Sequence, residues 1–136
     1  MLQIRPSDRD AIVAHALEGR PNEVCGLFAG EPGDVVVVQG LYPCRNAAES
    51  PVIYELDSRD LGKANWDALQ RGLEIVGVYH SHTHTHAYPS TTDVAKAGDP
   101  QWHYVLVSLE EVEPVVRSFR IVEGEITEED LVVKDE

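Results

Sequence analysis

Residues 74–93 read Glu74-Ile75-Val76-Gly77-Val78-Tyr79-His80-Ser81-His82-Thr83-His84-Thr85-His86-Ala87-Tyr88-Pro89-Ser90-Thr91-Thr92-Asp93. The apolar run Ile75–Tyr79 follows a helical pattern and precedes a polar loop, so Glu74–His82 reads as a buried central strand. Side chains two apart on a strand leave it on the same face. His80 and His82 therefore converge on one point beyond the strand's end. Zinc takes imidazole nitrogen at about 2.0–2.1 Å, and three protein ligands plus a water make a catalytic site. The remaining ligand has to be a carboxylate or another imidazole. Asp93 stands eleven residues after His82, where Ser90-Thr91-Thr92-Asp93 opens a short helix over Ser90–Ala97. Ser-x-x-Asp is also a capping box, with Ser90 as the cap. The two readings can coexist, because a helix N-terminus beside a metal aims Ser90 Oγ and backbone N–H groups at the site. Such donors can hold a developing oxyanion.

Working outward, Ser7–Gly19 places Ile12, Val13, Ala16 and Leu17 on one helical face, with Ser7 as N-cap and Gly19 and Pro21 as the stop. Glu23–Ala29 and Val35–Leu41 read as strands joined into a hairpin by the turn Gly30–Asp34. Pro43–Pro51 is a polar loop, and Val52–Leu56 is short and strand-like. Ser58–Arg71 is a helix capped by Ser58, with Leu61, Trp66 and Leu69 as its apolar positions. Tyr104–Ser108, Val115–Val122 and Glu125–Val133 complete the strands. This order predicts a single α/β domain over residues 1–136, with helices layered on a mixed sheet.

The chain has 136 residues, 43% of them hydrophobic, which suits one folded domain rather than disorder. Eleven Lys and Arg against 24 Asp and Glu leave a net charge of −13. That balance argues against nucleic acid and against anionic lipid as partners. No apolar run reaches the roughly 18 residues of a membrane span, and MLQIRPSDRD lacks the apolar core of a secretory signal. The expected compartment is the cytoplasm. There Cys25 and Cys44, too few for a disulfide scaffold, are expected as buried thiols.

The spacing His80-Ser81-His82, seven residues, Ser90, two residues, Asp93 resembles the JAMM (MPN+) zinc metalloprotease motif. Glu23, in Pro21-Asn22-Glu23-Val24-Cys25-Gly26-Leu27, stands where that family has its upstream glutamate. The resemblance covers essentially the whole chain. It implies the MPN fold, a mixed, curved sheet with helices packed on it and layering like that of cytidine deaminases. It also implies one Zn2+ with a catalytic water, held by His80, His82 and Asp93. Glu23 would be the general base that then protonates the leaving amine, and Ser90 would stabilise the oxyanion. The physics is consistent with these roles. Zinc lowers the pKa of its water to about 7, and a carboxylate within hydrogen-bond reach can take that proton and return it.

A chain of this length has no room for the long insertions of the eukaryotic deubiquitinases. The stretches Asn46–Pro51, Tyr54-x-Leu56-Asp57-Ser58, Ala87–Asp93, His103–Ser108 and Arg120-Ile121-Val122-x-Gly124 resemble a bacterial branch of the family. Its members free cysteine from the Gly-Gly end of a ubiquitin-like sulfur carrier, in cysteine synthesis. The resemblance thus implies that carrier as partner. The alternatives are another ubiquitin-like tail, or a binding module without catalysis. A zinc deaminase would need Pro-Cys-x-x-Cys and His-x-Glu signatures, which are absent. Two histidines and a carboxylate also accept iron, though a hydrolytic role favours zinc. The oligomeric state is open, a homodimer included. His84 and His86 are expected as exposed loop residues, His103 as a core histidine, and Ser81 on the face away from the ligands.

Overall fold

The chain forms β1 (Leu2–Ile4), α1 (Pro6–Gly19), β2 (Cys25–Gly30), β3 (Val36–Val37), β4 (Gly40–Cys44), α2 (Ser58–Gln70), β5 (Glu74–His82), α3 (Thr91–Lys96), β6 (His103–Ser108), β7 (Val115–Val122), β8 (Glu125–Glu129) and β9 (Leu131–Val133). This architecture is that of a computed structural model, which describes residues 1–135. The apolar run around Val78 lies at the centre. β5 sits inside a six-stranded sheet of order β4-β2-β5-β6-β7-β8, and it is buried from Val76 to His82. Only the β5–β6 pair is parallel, because α3 and its flanking loops supply the crossover a parallel pair requires. A second, three-stranded parallel sheet has the order β3-β1-β9. No helix among the described residues is long and apolar enough to cross a membrane.

The two faces of the large sheet carry separate cores. Phe28, Tyr79, Val105 and Val107 pack with Ile12 and Ala16 of α1 and with Leu2 and Ile4 of β1. On the other face Leu27, Val78, Tyr104 and Ile121 pack with Ala64 of α2. Two glycines let the aromatic residues into the sheet. The register sets Gly26 opposite Tyr79 and Gly77 opposite Phe28. A Cβ at Gly26 would overlap the Tyr79 ring, and one at Gly77 would overlap both the Phe28 ring and the His103 carbonyl.

Several elements differ from the sequence reading. The first helix is capped at Arg5 rather than Ser7, since Pro6 fills the first helical position, where a missing N–H costs nothing. Asp8 then accepts from Arg5 N at 3.4 Å and from Arg5 Nε at 3.0 Å. Leu17 stays 40% exposed. The expected second strand divides between two sheets: Val36–Val37 joins β1, a strand the patterning missed, and Gly40–Cys44 pairs with β2. The last strand likewise breaks at Asp130, with β9 crossing to β1. Val52–Leu56 forms no strand, only a bridge between Asn46 and Leu56. Asp57, not Ser58, caps α2 by accepting from Asp60 N at 3.3 Å. That helix buries Ala64 and Ala68, one turn apart, and leaves Trp66 and Leu69 66% and 68% exposed. Small side chains allow the close approach to the sheet that large ones would prevent.

One buried polar group ties β6, β7 and β8 together. Glu129 Oε2 accepts from His103 Nδ1 at 2.6 Å and from Ser118 Oγ at 2.7 Å. Burial alone would raise the Glu129 carboxyl. The hydrogen bonds from His103 and Ser118 and the His103 charge outweigh it and bring the value down to about 2.

Two outcomes follow for stability. Gly77→Ala is expected to cost about 1–3 kcal/mol through overpacking, read as a lower urea midpoint at unchanged slope. A carboxyl depressed on folding stabilises above its ordinary value of 4.5 and loses that contribution as pH falls toward about 2. Thermal unfolding followed against pH should therefore show Glu129→Gln less stable at neutral pH, with a shallower acid loss in that window than the unmodified chain.

Candidate metal centre

His80 and His82 end β5, and Asp93 lies in the first turn of α3. Asp93 Oδ2 is 3.1 Å from His80 Nε2 and 3.0 Å from His82 Nε2. Ligand atoms of all three residues lie within 4.8 Å of one another, and the side chains are buried. Local structure aims each group. The His82 Nδ1 is 3.0 Å from the His86 carbonyl. A carbonyl only accepts, so Nδ1 carries a proton there and Nε2 is the nitrogen that faces the cluster. The Tyr54 ring stacks on His80, with centroids 4.3 Å apart and planes 25° off parallel. Asp93 is oriented by the capping box: its N–H donates to Ser90 Oγ at 3.0 Å, and its Oδ2 accepts from Ser90 N at 2.8 Å. The capping and site readings of Ser90-x-x-Asp93 thus occupy one geometry.

Glu23 lies two residues before β2, not within it as the sequence pattern predicts, and is 4% exposed. Its backbone is held on both sides. Its N–H donates to the Ser50 carbonyl at 2.9 Å, and its carbonyl accepts from Asn46 Nδ2 at 2.9 Å. The next N–H, that of Val24, donates to Ser81 Oγ at 2.8 Å. The Glu23 side chain, by contrast, keeps Oε1 buried with no partner. Burial, with Asp93 adding to it, raises this carboxyl to about 7, against the opposing pull of His82 and Lys96.

The charges at the cluster interlock. Burial lowers His80 below the ordinary histidine value. It would also lower His82, but the Asp93 and His86 hydrogen bonds prevail and raise it. Burial would raise Asp93, yet the bonds from His80 and His82 dominate and hold it far below the carboxylate range. An ionised carboxylate out of water needs compensating positive charge or hydrogen bonds. Two imidazole nitrogens and one carboxylate oxygen facing a single point suit a metal ion. The unpartnered Glu23 Oε1 is an acceptor lacking a donor, which a water on such an ion would supply.

The other candidates lie elsewhere. His84 and His86 are exposed side chains, and His103 is buried with Glu129 on the opposite face. Cys25 and Cys44 face each other across β2 and β4, with Sγ atoms on the Arg45 and Tyr42 carbonyls. Burial pushes these thiols up to about 12 and about 11, so neither is a ready nucleophile. Ser81 lies on the face away from the cluster, as expected, and two supporting residues, Asn46 and Tyr54, have no counterpart in the sequence reading. Their stretches had resembled family segments, but nothing local marked their contacts with the site.

Fold and site together define a JAB-type α/β domain with a buried His-His-Asp group. The chain belongs to the prokaryotic homologs of the JAB domain, whose family model matches residues 6–122. It is 44% identical over 138 residues to the CysO-cysteine peptidase of Mycobacterium tuberculosis, covering 100% of this chain and 93% of that protein. It is 37% identical over 112 residues to a desampylase of Haloferax volcanii, covering 79% and 80%. The solution structure of a Desulfitobacterium hafniense protein superposes with a TM-score of 0.92 at 36% identity, covering 100% of this chain and 94% of that one.

If this cluster binds the metal, His82→Ala removes a ligand outright. The loss of affinity should exceed the roughly 10–100-fold that removing a mere supporting contact costs. Metal content after dialysis, measured by elemental mass spectrometry, checks it.

Proposed function

We propose that this chain is a zinc-dependent peptidase. It hydrolyses the amide after the C-terminal Gly-Gly of a ubiquitin-like sulfur carrier and releases cysteine, in the cytoplasm. The observation that carries this reading is the buried His80–His82–Asp93 cluster with the unpartnered Glu23 Oε1 beside it. The similarity to a CysO-cysteine peptidase over the full chain supports the substrate assignment. The similarity to a desampylase keeps a second reading in view, the same chemistry on another ubiquitin-like tail.

His80, His82 and Asp93 would hold the zinc. When bound, it polarises a substrate carbonyl and makes a water acidic enough to yield hydroxide near neutral pH. The protein's residues do the rest. Glu23 Oε1 takes the water's proton and then delivers it to the departing amine nitrogen, so that the leaving group departs neutral. Ser90 Oγ already accepts from Asp93 N, which leaves its own proton free to donate to the developing oxyanion. The anchors on either side of Glu23 fix the backbone from which its side chain projects.

The test is direct. The zinc-loaded protein is incubated with a carrier ending in Gly-Gly-Cys, with and without chelator, and cysteine is followed by mass spectrometry. Chelator-sensitive release of cysteine is expected. Glu23→Gln should retain its zinc while kcat falls by about 10²–10⁴-fold, the usual contribution of a general base. Turnover at the unmodified rate in that variant sinks the base assignment. Bound zinc with no cysteine release moves the assignment to another tail or to binding alone.

A further inference from the structure

α3 carries a second charged group one turn beyond Asp93. Lys96 Nζ donates to the Tyr54 carbonyl at 3.1 Å, and the ring of that same Tyr54 covers His80. The ammonium is thereby tethered beside the metal cluster. Its stem is exposed, and one of its three protons has a protein acceptor among the described residues. It borders a groove of about 510 Å³ that runs from Tyr54 and Leu56 past Val78 to Trp102 and Tyr104. Lys96 is the one cation lining that groove, where Glu55 and Asp99 are the acidic neighbours. Its charge also acts on Glu23.

The charge problem at this site is specific. The chain carries a net −13, and the cluster places the Glu23 and Asp93 carboxylates around the reacting centre. If the departing residue is the last of its chain, it brings a free α-carboxylate two bonds from the amide nitrogen that is cut. Zinc at the cluster would offset those two charges, but the leaving carboxylate still needs a hydrogen-bond donor of its own to orient it. An amide through a lysine side chain inside a protein has no such carboxylate there. A charge-assisted hydrogen bond to an ammonium supplies both attraction and orientation.

We infer that Lys96 receives the α-carboxylate of the departing amino acid, and so favours amides whose leaving group is a single C-terminal residue. This rests on the peptidase reading above and adds to it the form of the leaving group. The tie to Tyr54 sets the ammonium's position, and the substrate carboxylate takes the protons the tie leaves free.

The experiment compares two carriers ending in Gly-Gly-Cys, one as the free acid and one as the carboxamide, on zinc-loaded full-length protein. The unmodified chain should cleave the acid about tenfold better, chiefly through KM, as expected for one charge-assisted contact. Lys96→Met should abolish most of that preference, lowering cleavage of the acid about tenfold more than it lowers cleavage of the carboxamide. Lys96→Arg should restore part of the preference. Zinc content and Tm of the variants establish that the fold is intact. Equal loss on acid and carboxamide in Lys96→Met would show that the lysine merely straps the Tyr54 loop to α3, and the proposal falls. It falls equally if the unmodified chain shows no preference, although cleavage of both carriers would leave the peptidase reading standing. If the unmodified chain cleaves neither carrier, the function itself is wrong, and the role of Lys96 goes with it.

Discussion

A carboxylate buried between two imidazoles governs this molecule. Asp93 is ionised out of water, and its oxygen is shared by His80, His82 and the Ser90 N–H. Such an arrangement persists only if strand end and helix start are held in fixed relation, because an unpaired buried charge costs several kcal/mol. The strand end is held by β2 on one side and β6 on the other. The helix start is held by its own cap, and that cap also fixes Asp93. The local rule for beginning a helix and the chemical need for an oriented oxygen are met by the same hydrogen bonds.

Support for Glu23 comes from a different direction. Glu23 lies on no regular element, yet its backbone is fixed by Ser50, Asn46 and Ser81. Asn46 reaches further. Its amide donates also to the Ile53 carbonyl, and its oxygen accepts from Ala48 and Glu55 N–H groups. One side chain thus satisfies a loop that has no strand to pair with and holds that loop, Tyr54 included, against His80. Ser81 shows the complementary use of strand alternation. It points away from the cluster, and its buried hydroxyl anchors the segment that carries Glu23.

The packing of the sheet serves this geometry. Gly26 and Gly77 leave room for the Tyr79 and Phe28 rings to lie over the facing strand. The Tyr79 hydroxyl, buried on the α1 face, meets His15 at 2.7 Å. The other face is left to the metal cluster and α2, and β5 contributes side chains to both.

The sequence alone determined the central strand, the His-x-His pair at its end and the Ser-x-x-Asp cap. Each is written in a local period: two residues per strand repeat, three residues from cap to N3. Glu23 was legible only through resemblance, since a lone glutamate before a strand has no local signature. Tertiary structure decided what depends on contacts between distant segments. It moved Val36–Val37 and Leu131–Val133 onto β1, because edge pairing is chosen by which strands lie nearby and not by composition. It exposed Trp66 and buried Ala64, because the space between α2 and the sheet, not hydrophobicity, set the size of the buried side chains. It brought Asn46, Tyr54, Ser81 and Lys96 around the cluster through hydrogen bonds and stacking that span up to 57 residues of chain, a separation no sequence period encodes.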